Sequence, residues 1–244
     1  KKSAGYYGRG ETFPFPDNVY EIEASKIKSA SFDCILFQSS QNYLKDQYRI
    51  LSAEQRQLPK IYLEHNTPAG HPFNSRHIVD DPNVQLVHVT HYNQLMWNNN
   101  RTPARVIEHG VSDCTTAYKG DICKGIVVIN SLPARKRCAG LDIFLEVSKH
   151  IPLELVGMNN EELESSEVLH PQLPEYMSRY RFYFHPARYT SLGLSVCEAM
   201  MAGLPVVGLA TTELVTVIEN GRSGFIHTNI AYLVDKMKQL LLDY

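Results

Sequence analysis

The chain has 244 residues, 43% of them apolar, enough for one large domain or two smaller ones with their own cores. Its 24 basic and 26 acidic residues leave a net charge of −2 and a pI of about 6.6, so no basic footprint points to nucleic acid. Apolar runs fall short of the ~20 residues of a membrane span, no secretory signal stands at the start, and Cys34, Cys114, Cys123, Cys138 and Cys197 are scattered without metal spacing, which suits a reducing cytoplasm.

The opening stretch, KKSAGYYGRGETFPFPDN, is polar and loop-like, whereas a doubly wound domain starts on a buried strand followed by a glycine-rich turn. The expectation is that such a strand lies upstream, with Gly5, Gly8 and Gly10 as the remnant of its turn. Strands are then expected within residues 31–40, 58–66, 84–91 and 104–111, with helices over residues 41–55 and from Tyr92 to Asn98. Alternation of this kind predicts a parallel sheet with right-handed crossovers and polar strand ends gathered on one edge. Between Ser112 and Lys124 the apolar period lapses, which sets an expected boundary between residues 1–111 and 112–244.

The second part reads as strand 125–130, helix Leu141 to His150, strand 153–157, helix Leu173 to Tyr180, and a strand from Arg181 to Ala187. A helix then runs from Leu194 to Gly203, where glycine can take the left-handed conformation that closes a helix, and Pro205 starts the apolar run of the next strand. Helix Glu213 to Glu219, strand 223–228 and a last helix from Ile230 follow. That helix carries Leu233, Val234, Met237, Leu240 and Leu241 on one stripe with few lysines, a core-docking rather than a membrane-binding pattern.

The strand–elbow–helix–strand unit from Arg181 to Phe225 organises the chemistry. It leaves Ser191, Leu192 and Gly193 at the start of a helix on the carboxyl edge of the sheet, where free backbone N–H groups suit a phosphate and glycine allows close approach. Glu198, about two turns further in, is placed to accept hydrogen bonds from a ribose diol. Residues 131–142 put Arg135, Lys136 and Arg137 in a loop after a strand, where adjacent cations call for an anion, and Arg188 before the elbow is a further candidate. The first part is rich in histidine, with Glu64-His65-Asn66, His71, Arg76, His77, His88, His91 and Glu108-His109-Gly110. Their spacings match no usual zinc pattern, and Asp80-Asp81 reads as a turn cap before Pro82. His65 and His109 stand out because each falls where a strand ends, and His91 because it begins a helix after a strand.

The motif around the elbow resembles the retaining glycosyltransferases of the family-4 type (glycosyl transferases group 1). Their Glu-Gly-Phe-Gly, followed after four residues by Glu-Ala-Met-Ala-x-Gly-x-Pro-Val-Val, is matched by Thr190-Ser191-Leu192-Gly193 and then by Glu198 to Val207. The resemblance implies an α/β protein of GT-B fold, with two Rossmann-like parallel-sheet domains facing a cleft. Residues 1–111 would form the acceptor side and 112–244 the nucleotide-sugar side. It further implies that Glu198 holds the ribose, that residues 190–193 face the diphosphate or sugar, and that Gly157 lies near the nucleotide. In the family an arginine and a lysine after the first strand of this domain clamp the diphosphate. Ser131 and Ala139 occupy those positions here, displacing the cations to 135–137. The first glutamate of the motif is Thr190, which hydrogen-bonds a sugar but offers no charge.

The implied reaction moves a sugar from a nucleotide-diphosphate donor to a saccharide or lipid-linked acceptor, in building a surface polysaccharide or glycolipid. It would proceed with retention, without metal or other cofactor, in the cytoplasm or at the inner face of a membrane. His65 and His91 would then meet the acceptor and sugar, and His109 would join Arg135, Lys136 and Arg137 as a catalytic residue. Two alternatives stay open: a sugar-nucleotide epimerase or phosphorylase on the same architecture, and a non-catalytic homologue that binds a nucleotide or a partner subunit.

Overall fold

The computed structural model describes residues 17–242, and the chain divides into two compact units between His109 and Gly110. The expected glycine-turn remnant at Gly5, Gly8 and Gly10 lies outside the described residues.

In the first unit β1 (Ile35–Phe37), β2 (Lys60–Glu64), β3 (Val84–His88) and β4 (Ala104–Val106) form one parallel sheet in sequence order. Phe37, Tyr62, Val79, Val84 and Leu86 make its core. Both outer strands are three residues long, shorter than the apolar stretches containing them. The single helix expected over residues 41–55 is broken. A wide turn at Asn42–Asp46 leads into α1 (Gln47–Ile50), Leu51 is extended, and a tight turn follows at Gln55–Gln57. The reason is a capping box: the Ser52 amide donates to Gln55 Oε1 (2.9 Å) and the Gln55 amide to Ser52 Oγ (3.1 Å), which starts a new turn where the old one was to continue. After β3, Thr90 Oγ1 accepts from the Asn93 amide (3.0 Å) and caps α2 (His91–Met96), which therefore starts one residue before the expected Tyr92.

The second unit is a five-stranded parallel sheet of β5 (Ile122–Val128), β6 (Leu153–Val156), β7 (Tyr180–His185), β8 (Val206–Gly208) and β9 (Gly224–Ile226), ordered β6-β5-β7-β8-β9. Its helices are α3 (Leu132–Ala139), α4 (Leu141–Val147), α5 (Leu173–Ser178), α6 (Leu194–Met201), α7 (Leu214–Val217) and α8 (Ile230–Leu242). On one face Leu132, Ile143, Phe144, Leu233 and Met237 pack with Val127, Phe182, Phe184 and Val207, so α3, α4 and α8 share it. On the other, Leu173, Met177, Val196, Ala199 and Leu214 pack with Ile126, Tyr183 and Val206, so α5, α6 and α7 share that one. The stripe of α8 thus docks on the core, and among the described residues no helix is long and apolar enough to cross a membrane. Gly203 closes α6 with φ +81°.

Two expectations for this unit need correcting. Residues 132–139, expected as a cationic loop, are helical, because Pro133 suits the first turn and the buried Asn160 caps it by accepting from the Leu132 amide (2.7 Å). The helix is interrupted at Lys136, whose φ of +47° no regular helix allows. The helix expected to reach Tyr180 stops at Ser178, and Tyr180 is instead the first residue of β7.

Candidate functional site

Strands β5 and β7 are neighbours, yet the segment after β5 enters α3 and α4 on one face, while the segment after β7 enters α6 on the opposite face. Chains that leave adjacent strands in opposite directions open a crevice at the carboxyl edge, where ligands of such sheets bind. Three segments meet there: 129–132 after β5, 157–160 after β6, and 186–193 after β7.

The start of α6 is pinned over this crevice. Ser195 Oγ donates to the carbonyl of Val128, the last residue of β5 (3.2 Å), and shares a 2.8 Å hydrogen bond with the Tyr183 hydroxyl of β7. Gly193 is the residue before the helix, with φ −66° and ψ 131°, and the next amides point out of the helix end. A Cβ on Gly193 would come no closer than 3.6 Å to any atom, the His185 ring carbon being among the nearest. Packing and backbone therefore do not demand glycine at 193, whereas a ligand lying against the helix end would. Ser191 and Leu192 are buried, and Thr190 is half-buried beside them.

Gly157 and Gly140 differ from Gly193 in this respect. Gly157 has φ +145°, and a Cβ there would lie 2.4 Å from the Ile129 carbonyl oxygen. Its glycine is required by the close approach of the loops after β5 and β6. Asn160, 1% exposed, stitches the same loops by donating to the carbonyls of Ile129 (2.7 Å) and Gly157 (3.2 Å). Gly140 has φ +84°, and a Cβ there would meet the Pro186 carbonyl at 2.1 Å. The amides of Arg188 and Tyr189 also donate to the Cys138 carbonyl (3.0 and 3.2 Å), so the end of α3 is fixed to the elbow after β7.

The cations of this edge fall into two pairs. Arg188 grips Asp142 with both terminal nitrogens (2.6 and 2.8 Å), and Arg137 reaches the same carboxylate (2.5 Å). These bonds hold the Asp142 carboxyl below the usual carboxylate range, the Arg188 contact contributing most. The anion expected to neutralise Arg137 and Arg188 is therefore supplied by the chain itself. Arg135 and Lys136 have no ion-pair partner among the described residues and are exposed. Arg135 lies near enough to His185, the last residue of β7, for its charge to disfavour protonation there. Ser131, Lys136 and Gly140 all have positive φ, so the unusual backbone of this segment is concentrated at the crevice.

His185 was not singled out by the sequence. It is 6% exposed, lies near-parallel to the Tyr183 ring (centroids 6.3 Å apart), and its Nδ1 is buried without a hydrogen-bond partner. Burial, reinforced by Arg135, pushes its imidazole down to about 4. Glu198 lies in the second turn of α6 and is largely buried, and its Oε1 is 2.8 Å from His170 Nε2.

In the first unit the histidines divide by environment. His77 is buried against Glu64 (3.1 Å), with Tyr62 and Trp97 edge-on to its ring. His88 is fully buried, bonds Asn99 (2.8 Å), and is pushed down mainly by burial. Both have structural settings. His65 is exposed at the end of β2 and touches Gln38 (3.3 Å), His91 is exposed at the start of α2, and the His109 amide donates to the Val89 carbonyl (3.3 Å), beside the end of β3. Asp81 accepts from the Asn83 amide (2.8 Å), the turn cap expected, while Asp80 pairs with Arg101.

Residues 130–243 match the family model of glycosyl transferases group 1, nearly the whole of the second unit. No curated protein matches the sequence. Among solved structures the chain is similar to TarM (14% identity, TM-score 0.61, 85% of this chain, 47% of that one) and to a mutant of S. aureus TarM in complex with UDP (16%, 0.60, 85% and 48%). It is also similar to a sucrose-phosphate synthase from Thermosynechococcus elongatus (15%, 0.65, 87% and 65%) and to Anabaena HepE in complex with UDP and glucose (13%, 0.63, 87% and 69%). These likenesses show a GT-B fold. The chain spans about half the length of TarM and 65% of the synthase.

Proposed function

We propose that this chain is a glycosyltransferase whose second unit binds a nucleotide-diphosphate sugar at the crevice between β5 and β7. The observation that carries the reading is the open amino end of α6, pinned over that crevice on the same sheet edge as Arg135 and Lys136, which have no ion-pair partner among the described residues. Its family match supports the same chemistry, and UDP in the TarM and HepE structures suggests a uridine donor. As the glycosidic bond breaks, negative charge develops on the departing diphosphate. Amides at the helix end and the guanidinium of Arg135 and ammonium of Lys136 stabilise that charge more in the transition state than before it. Glu198 holds the ribose, and Thr190 hydrogen-bonds the sugar. Retention of configuration, independence of metal, a glycan or lipid-linked acceptor met by His65 and His91, and a catalytic role for His109 complete the proposal and rest on the resemblance.

The test is release of nucleoside diphosphate from UDP-, GDP- and dTDP-sugars with added saccharide and polyprenyl-phosphate acceptors, with and without EDTA, the anomeric configuration of any product being read by NMR. Transfer that survives EDTA with retained configuration is the expected result. A second reading, a non-catalytic homologue, draws on Thr190 in place of the motif's first glutamate, and binding without transfer to any acceptor would favour it.

A further inference from the structure

On the reading that Glu198 holds the donor's ribose, we infer that His170 is a positioning residue for that carboxylate and sets the preference of the site for ribo- over 2′-deoxyribonucleotides. Glu198 sits on α6 with its side chain 13% exposed, and a carboxylate so far removed from water needs hydrogen-bond donors. Among the described residues no lysine or arginine pairs with it: its neighbours are the Tyr183 phenol and the Cys197 thiol, both pushed up by burial first and by the Glu198 charge second. The donor is His170, whose Nε2 lies 2.8 Å from Oε1. Because a carboxylate only accepts, Nε2 carries the hydrogen. One of roughly four acceptor positions on the carboxylate is then used, and the rest, including both on Oε2, are left to a diol.

The histidine is itself held in place from the sheet. It opens the turn His170–Gln172 that runs directly into α5, and Leu173 and Met177 of α5 pack in the same core as Val196 and Ala199 of α6. The bond therefore joins two elements already fixed to each other, and the carboxylate meets the ribose with its rotamer chosen in advance. Without the imidazole the same carboxylate keeps its charge but not its aim. Loss of the contact should then lower affinity for a 2′-hydroxyl more than affinity for the diphosphate.

The test compares the full-length chain with His170→Ala, His170→Gln and Glu198→Ala, titrating UDP against 2′-deoxy-UDP, and the GDP and ADP pairs likewise. The unaltered chain should prefer the ribonucleotide of the pair it binds. Glu198→Ala should abolish the preference, and His170→Ala should reduce it on the order of tenfold while affinity for the deoxynucleotide stays within about twofold. His170→Gln, which keeps an N–H donor, should recover part of it. If Glu198→Ala abolishes the preference and His170→Ala leaves it intact, the inference falls and the nucleotide site stands. Equal affinity of the unaltered chain for both members of a pair removes Glu198 from the ribose and overturns it too. Binding of no member of any pair defeats the nucleotide reading itself.

Discussion

Gly193 separates folding from binding at a single atom. Its backbone lies in an ordinary extended region and there is room for a methyl group, so Gly193→Ala should change stability by less than about 1 kcal/mol. On the proposed reading it should nevertheless weaken diphosphate binding by about tenfold or more, since the methyl would project into the space the proposed ligand takes at the helix end. Calorimetric titration beside a melting curve checks both halves, and unchanged affinity would move the ligand elsewhere. The cations divide similarly. Replacing Arg135 and Lys136 together by alanine should lower turnover by about 100-fold or more with little effect on melting. Asp142→Ala should cost more than Arg188→Ala, because it releases Arg137 as well, and the double change should cost little more than Asp142→Ala alone. His185 makes a prediction about acid. Its pKa in the folded chain, about 4, lies below the usual 6.5, so the unfolded chain binds more protons between those values and stability falls as pH drops through that window. The shift corresponds to about 3 kcal/mol lost in full below pH 4. His185→Phe, which needs no partner for Nδ1, should fold as well at pH 7 and flatten the pH 4–6.5 slope of melting temperature. A slope unchanged by the substitution would assign the acid sensitivity to other groups.

At the scale of elements, the crevice depends on loops that hold one another. Asn160 donates twice and accepts once across the loops after β5 and β6, and the bonds to Ile129 and Leu132 are buried. Asn160→Ala strands the Leu132 amide and the Ile129 carbonyl together, and should destabilise the second unit by about 2–4 kcal/mol by denaturant unfolding. How legible these elements were from sequence follows from how local their causes are. The β7–α6–β8 unit was plain because two apolar runs flank a helix that Gly203 closes. The helix over residues 132–139 was not, because three cations hide its weak apolar period and its cap, Asn160, is 28 residues from the amide it accepts from. The break after α1 did have a local signal, Ser52 and Gln55 at capping-box spacing, that the apolar pattern obscured.

At the scale of the molecule, two parallel-sheet units carry the GT-B fold, and the second places a topological switch between β5 and β7. The fold class was legible because alternating strands and helices leave few arrangements. The candidate site was legible where its proposed residues are adjacent in sequence, as with residues 190–193 and Glu198, which the fold brings to one edge of the sheet. It was hidden where partners come from distant segments: His170 from before α5, His185 at the end of its strand, and Asp142 claiming two of the expected phosphate ligands. The central claim is that the second unit is a nucleotide-diphosphate site, and a thermal-shift screen of the full-length chain against UDP, GDP, dTDP, ADP, CMP and their sugar conjugates, without added metal, tests it most directly. A diphosphate should raise the melting temperature of the unaltered chain, and should raise it less for Glu198→Ala, which loses the ribose contact but keeps the diphosphate contacts. No shift with any of them would contradict the account.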